Sequence, residues 1–155
     1  MRFTRAAKRG RPGTSVVEAT IVSLVFFVLV FGMLDLGLGL FRQTLVSQAA
    51  RQGARQAAVH GNLAPAGWNG GAWGPNAIDV PATANGIPLV AAVAPFLVGF
   101  DLDQTRVKAE WIDGDNDIEH RVRVTVSTTY QPMFAFIFGG RDIPLSASST
   151  MPIAH

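Results

Sequence analysis

Asp113, Asp115, Asp117 and Glu119 stand at alternate positions, the spacing with which a short loop starts to wrap oxygen ligands around calcium. A complete calcium loop of that kind needs glycine at its sixth position and a bidentate glutamate at its twelfth. Ile118 and Val124 hold those places, so that loop is excluded, and Asp113, Asp115 and Asp117 remain only as candidates for a looser metal site. His60, His120 and His155 are scattered and lack the spacing of a helical zinc pair. No Gly-x-Ser-x-Gly elbow occurs, and with no cysteine there is no thiol nucleophile, thiolate metal site or disulfide. The glycines of residues 61–86 follow no strand and lead to no Gly-Lys-Ser/Thr, so they do not form a phosphate-binding loop. The residue types point away from an enzyme, and no cofactor is expected.

The remaining charge has a different use. The 155 residues carry 13 Lys+Arg against 11 Asp+Glu, and 15% charged residues is low for a soluble domain. Arg2, Arg5, Lys8, Arg9 and Arg11 put five positive charges into the first thirteen residues with no acid among them. From Thr14 onward there are eight basic and eleven acidic residues, a balance of −3. The pI near 9.7 therefore reflects one basic end and not a basic body, so no nucleic-acid partner is expected.

Behind that end runs ATIVSLVFFVLVFGMLDLGLGLF, Ala19 to Phe41, with Asp35 as its one charge. Twenty-three helical residues span roughly 35 Å, enough for a bilayer core of about 30 Å. A cleaved secretory signal has a shorter apolar core, usually about 7–15 residues. The positive-inside rule keeps the basic end cytoplasmic and sends the C-terminal body outward. Asp35 lies six residues from the end of the run, within reach of the outer interface near Arg42. Glu18 stands at the start. It is either an acid at a helix N-terminus, where the dipole favours it, or a group with a partner inside the membrane.

Arg11-Pro12-Gly13-Thr14-Ser15-Val16-Val17-Glu18 places a basic leader, then Gly13, then Glu18 five residues later, then the apolar run. That order resembles the processing site of type IV prepilins and their relatives, which a membrane-bound prepilin peptidase cuts after the glycine. The resemblance implies cleavage between Gly13 and Thr14, which removes the basic leader and frees an α-amino group at Thr14. Glu18 then pairs with such an amine on a neighbouring subunit, where a low dielectric strengthens the attraction.

After Phe41, RQTLVSQAARQGARQAAVHG has no proline and is rich in Ala, Gln and Arg, so the helix is expected to run on from about Ser15 to Val59. Ala50, Ala54 and Ala58 recur every fourth residue, as do Ala49, Gly53 and Ala57. Such a stripe permits close approach of another backbone, in the chain's own domain, in a neighbouring subunit helix or in both, with Ala50, Gly53, Ala54 and Ala57 as the packing residues. Ala49-Ala50-Arg51-Gln52-Gly53-Ala54-Arg55-Gln56-Ala57-Ala58, after the leader and the apolar helix, resembles the signature of the TadE-like pilus assembly family. Gln52 stands where that family commonly has glutamate. The resemblance covers about residues 10–60. It implies a pilin-like accessory subunit, a minor pseudopilin, of a tight-adherence (Flp) pilus and secretion system. Its implied place is the bacterial inner membrane, and its implied partners are other pilin-like subunits and the assembly machinery.

The body reads as α+β. Residues 61–86, rich in Gly and Pro and holding Trp68 and Trp73, are expected as a long loop that folds back as a cap or meets a partner. Residues 88–98 suit a short helix interrupted at Pro95. Alternation marks strands over 106–112 and 121–130, joined by the Asp113–Asp117 turn, and a third strand is expected from about Ile143 to Met151. The expected architecture is a long helix, a single transmembrane span continuing outside, packed on a small antiparallel three-stranded sheet in the pilin-like plan. The expected divisions are a leader (1–13), the transmembrane and extended helix (14–60), the loop (61–86) and an outer α+β region (87–155). Met133-Phe134-Ala135-Phe136-Ile137-Phe138 is left as an apolar patch, at the core edge or against a partner or lipid. The alternative function is an uncleaved single-pass anchor whose outer domain binds a ligand, with calcium as a candidate.

Overall fold

The computed structural model describes residues 12–68, 70–134 and 139–154. The basic leader up to Arg11, four residues of the 133–138 patch and His155 lie outside that set. Helix α1 runs without interruption over Pro12–Val59, 48 residues, on the order of 72 Å at 1.5 Å per residue. Its start two residues before Thr14 follows from Pro12, whose fixed φ and missing N–H suit a first turn. Helix α2, Pro88–Val93, begins on Pro88 and gives way to a 3-10 turn at Ala94–Phe96, the interruption expected at Pro95.

The sheet has four strands, not three, in the order β1-β2-β3-β4 and antiparallel throughout. β2 (Arg106–Trp111), β3 (Arg121–Tyr130) and β4 (Ile143–Pro152) fall where the alternation puts them. The additional strand, β1 (Ile78–Pro81), lies inside the segment expected to be all loop. Only four residues long, and ended by a proline, β1 is too short to show a period. Its pairing with β2, Ile78 opposite Ala109 through Pro81 opposite Arg106, specifies it instead.

Period-two alternation gives β3 one buried face, Val122, Val124, Val126, Thr128 and Tyr130. The register sets Val107 opposite Val126, Ala109 opposite Val124 and Trp111 opposite Val122, so the two strands present a single apolar surface. The second half of α1 and helix α2 cover that surface. Val46, Ala49, Ala50, Ala54 and Ala57 are all 1% exposed or less. Gly53 explains why the helix lies so close: a Cβ there would come 2.9 Å from Val124 Cγ1 and 3.0 Å from Val93 Cγ1. The opposite face of the sheet is solvated and carries the ion pairs Arg106–Asp79 (2.8 Å) and Lys108–Glu110 (2.6 Å).

Candidate functional site

The two halves of α1 have different surroundings. From Val16 to Leu29 the large side chains stand open, as do Met33 and Leu34 beyond the half-buried Val30 and Phe31: Leu24 is 64% exposed, Phe27 51% and Met33 74%. Among the described residues one helix, Ser15–Val59, is long and apolar enough to cross a membrane, with a mean hydropathy of 2.5 over its most apolar stretch and 6% of that stretch buried. The domain first touches α1 at Phe31, through Phe134, and Asp35 is the first buried residue along the helix. The largely uncovered part therefore runs over residues 15–34, roughly 30 Å and close to one bilayer core. Glu18 lies exposed in this part, with Val17, Ile21 and Val22 around it. Because α1 starts at Pro12, its first turn holds no acid, and Glu18 falls in the second, where the helix dipole is already weak. The Gly13–Thr14 bond lies in the first turn, where backbone N–H groups have no partner within the helix.

Ala50, Gly53, Ala54 and Ala57 sit against the chain's own sheet and α2. Packing within its own domain is one of the two uses open to this stripe.

Asp35 differs from the sequence reading. Instead of reaching for the outer interface, its carboxyl group is turned inward and the residue is 3% exposed. Oδ1 accepts the backbone N–H of Met133 (3.0 Å) and the Tyr130 hydroxyl (3.2 Å), and Oδ2 accepts the N–H of Phe134 (2.7 Å). Three donors on one buried carboxyl group offset much of the cost of taking it out of water. Arg42, two turns further along, holds its guanidinium 5.1 Å from the Tyr130 ring centre and 5.5 Å from that of Phe100. Tyr130 thus touches both polar groups of this helix face. The Phe134 ring stacks on Phe31 at 4.4 Å and 9°, beside the uncovered half of α1, while Met133 is 76% exposed. A lone charge in an apolar run was the signal for Asp35. Its partners lie almost a hundred residues away and carry no pattern of their own.

The acidic turn is engaged internally. Asp113 accepts from Arg121 at 2.7 and 3.1 Å and from the Arg121 backbone N–H at 2.8 Å. These hydrogen bonds hold its carboxyl well below the ordinary range, at about 2. Asp115 hydrogen-bonds His120 Nδ1, which lowers the acid and raises the imidazole. Asp117 accepts from Asn62 Nδ2 at 2.8 Å. Among the described residues no group of three or more His, Cys, Asp or Glu is placed to hold a metal.

The cap at the top of the domain was only half legible. Trp73 folds back, 8% exposed, and stacks on His60 at 4.1 Å, while Trp68 stays at 48% exposure. His60 Nδ1–H donates to the Gln56 carbonyl (2.7 Å), the Trp73 N–H donates to the His60 carbonyl (2.7 Å), and Asn116 Nδ2 donates to the Trp73 carbonyl (2.8 Å). Gly74, at a positive φ of 88°, lies on the Trp111 indole, where a Cβ would collide. His60 and Asn116 are thereby structural parts of the cap.

No curated protein and no solved structure matches the chain. Residues 13–55, the uncovered span together with most of the small-residue stripe, match the family model described as TadE-like protein.

Proposed function

We infer that this chain is a pilin-like minor subunit for assembly of tight-adherence pili, held by one membrane-spanning helix and working through contacts, not turnover. The observation that carries the reading is the TadE-like match over residues 13–55 coinciding with a bilayer length of helix that the chain's own domain leaves bare. In this reading the N-terminus starts in the cytoplasm, the body lies outside the bacterial inner membrane, and prepilin peptidase cuts between Gly13 and Thr14. The uncovered helix then packs with other pilin-like subunits, and Glu18 sets the register by pairing with a freed Thr14 amine on a neighbour. Ala50, Gly53, Ala54 and Ala57 stiffen the stalk by fastening it to the sheet.

N-terminal sequencing of the mature protein tests the cleavage: a start at Thr14 is expected, and an intact Met1 with the cognate peptidase present removes it. Glu18→Ala should leave membrane fractionation unchanged while pilus output falls about tenfold or more, the scale of losing roughly 1.4 kcal/mol at each subunit contact. Unchanged output would show that Glu18 has no pairing role.

A further inference from the structure

Met133 and Phe134, just after β3, lie alongside the part of α1 that crosses the membrane. Phe134 stacks on Phe31, and Phe31 stacks in turn on Phe27 at 5.8 Å, so the ring belongs to the same apolar surface as the span. Phe31 is one turn from Asp35 toward the N-terminus, about 6 Å along the axis. Met133 presents its side chain outward at 76% exposure. Around this level every face of the helix that the domain leaves open is apolar: Met33, Leu34 and Leu36 point in three directions and are 74%, 61% and 56% exposed. A neighbouring protein helix would cover one face of such a cylinder, whereas acyl chains surround it.

The backbone at Met133 and Phe134 is consistent with that surrounding. In hydrocarbon an N–H without a partner costs several kcal/mol, so irregular backbone there must be satisfied from within the protein. Asp35 does this for two successive amides, those of Met133 and Phe134, with Tyr130 bracing the carboxyl group. Arg42 stands about 10 Å further out, on the ring of Tyr130, where a guanidinium reaches the headgroup level while its stem lies on apolar surface.

We propose that Met133 and Phe134, at the start of the connection after β3, are a second membrane contact set among the acyl chains of the outer leaflet beside Phe31, with Asp35 the latch that satisfies their backbone there. The domain is then fixed to the bilayer at two points and cannot rotate freely about its stalk. This rests on the reading of α1 as a membrane span.

Because the chain has no cysteine, single labels can be placed on the full-length protein in phosphatidylcholine vesicles. Nitroxide labels at Met133→Cys, at Val25→Cys in the span and at Ser148→Cys on the solvated sheet are compared for relaxation by oxygen and by a water-soluble nickel chelate. The Met133 and Val25 labels should favour oxygen and the Ser148 label the chelate. A chelate-favouring Met133 label with an oxygen-favouring Val25 label overturns the second contact and leaves the span standing. If the Val25 label also favours the chelate, the membrane reading itself falls. A Met133 label shielded from both, with spin–spin broadening, means that a second copy covers Met133 and overturns the lipid assignment. Asp35→Ala should raise chelate access at Met133 several-fold and leave Val25 unchanged, while Asp35→Asn, which keeps an acceptor, should retain most of the wild-type pattern. Unchanged access in Asp35→Ala removes the latch role. The wild-type labels decide the lipid contact even if that variant does not fold.

Discussion

The two halves of α1 belong to one unbroken helix, yet they solve opposite problems. Residues 15–34 carry large apolar side chains with little of their own domain against them beyond Phe134 on Phe31, whereas residues 46–58 carry small ones buried on the sheet. Large exposed side chains favour an apolar solvent, since each Leu or Phe gains roughly 1.5–3 kcal/mol on leaving water. Small ones favour a near neighbour, since alanine and glycine let two backbones approach within close packing distance. Hydropathy marks off the first half, and side-chain volume marks the buried stripe of the second. Asp35 lies where one regime changes into the other, and it joins the helix to the far end of β3.

Glycine gives the largest test of this contrast. Gly53→Leu should destabilise the domain by about 3 kcal/mol, because Val124 and Val93 leave no room for even a Cβ. Gly37→Leu, with nothing within 4 Å of its Cβ position, should cause no loss. Denaturant unfolding in detergent micelles followed by tryptophan fluorescence compares the two, and equal effects would erase the distinction between the halves. Next comes Leu24→Arg, which should weaken membrane insertion by about 2.5 kcal/mol while the purified protein unfolds as before. A shift in the unfolding midpoint would mean that the uncovered half supports the domain after all.

Tyr130→Phe sharpens the junction. It removes one of the three donors on Asp35 and keeps the ring against Arg42, so a loss of about 1 kcal/mol is expected in the same unfolding measurement. The smallest effect belongs to the outer turn. His120 is raised by its hydrogen bond to Asp115, so its contribution is whole below about 6.5 and fades as pH rises through the raised value. Asp113 is lowered from 3.8 to about 2, so its contribution is present above 3.8 and lost as pH falls toward 2. Thermal unfolding should therefore show a shallow maximum between roughly pH 4 and 6.5, and His120→Gln should flatten the alkaline side and remove Asp115's share of the acid side, leaving that of Asp113.

Much of this architecture is legible from local chemistry. The bilayer-length run needs no tertiary information, because 3.6-residue geometry and hydropathy alone set its length. The alternation of Val122, Val124 and Val126 with Arg121, Arg123 and Thr125 predicts β3 and its buried face for the same reason. The TadE-like pattern of residues 49–58 depends on residue identity and is visible in one dimension. β1 is not, because four residues ending in Pro81 show no period and owe their conformation to β2. Asp35 is visible as an anomaly, but its role is not.

The amino-acid sequence by itself determined the long helix and the strands β2 to β4. These are properties of neighbours in the chain, set by periodicity, volume and charge. Tertiary structure alone decided which half of α1 is covered, that Ala50, Gly53, Ala54 and Ala57 face their own sheet, and that Asp113, Asp115 and Asp117 are engaged by Arg121, His120 and Asn62. It also decided that Asp35 holds the backbone of Met133 and Phe134. Those outcomes depend on groups far apart in sequence, whose hydrogen bonds and close contacts exist only once the helix lies on the sheet.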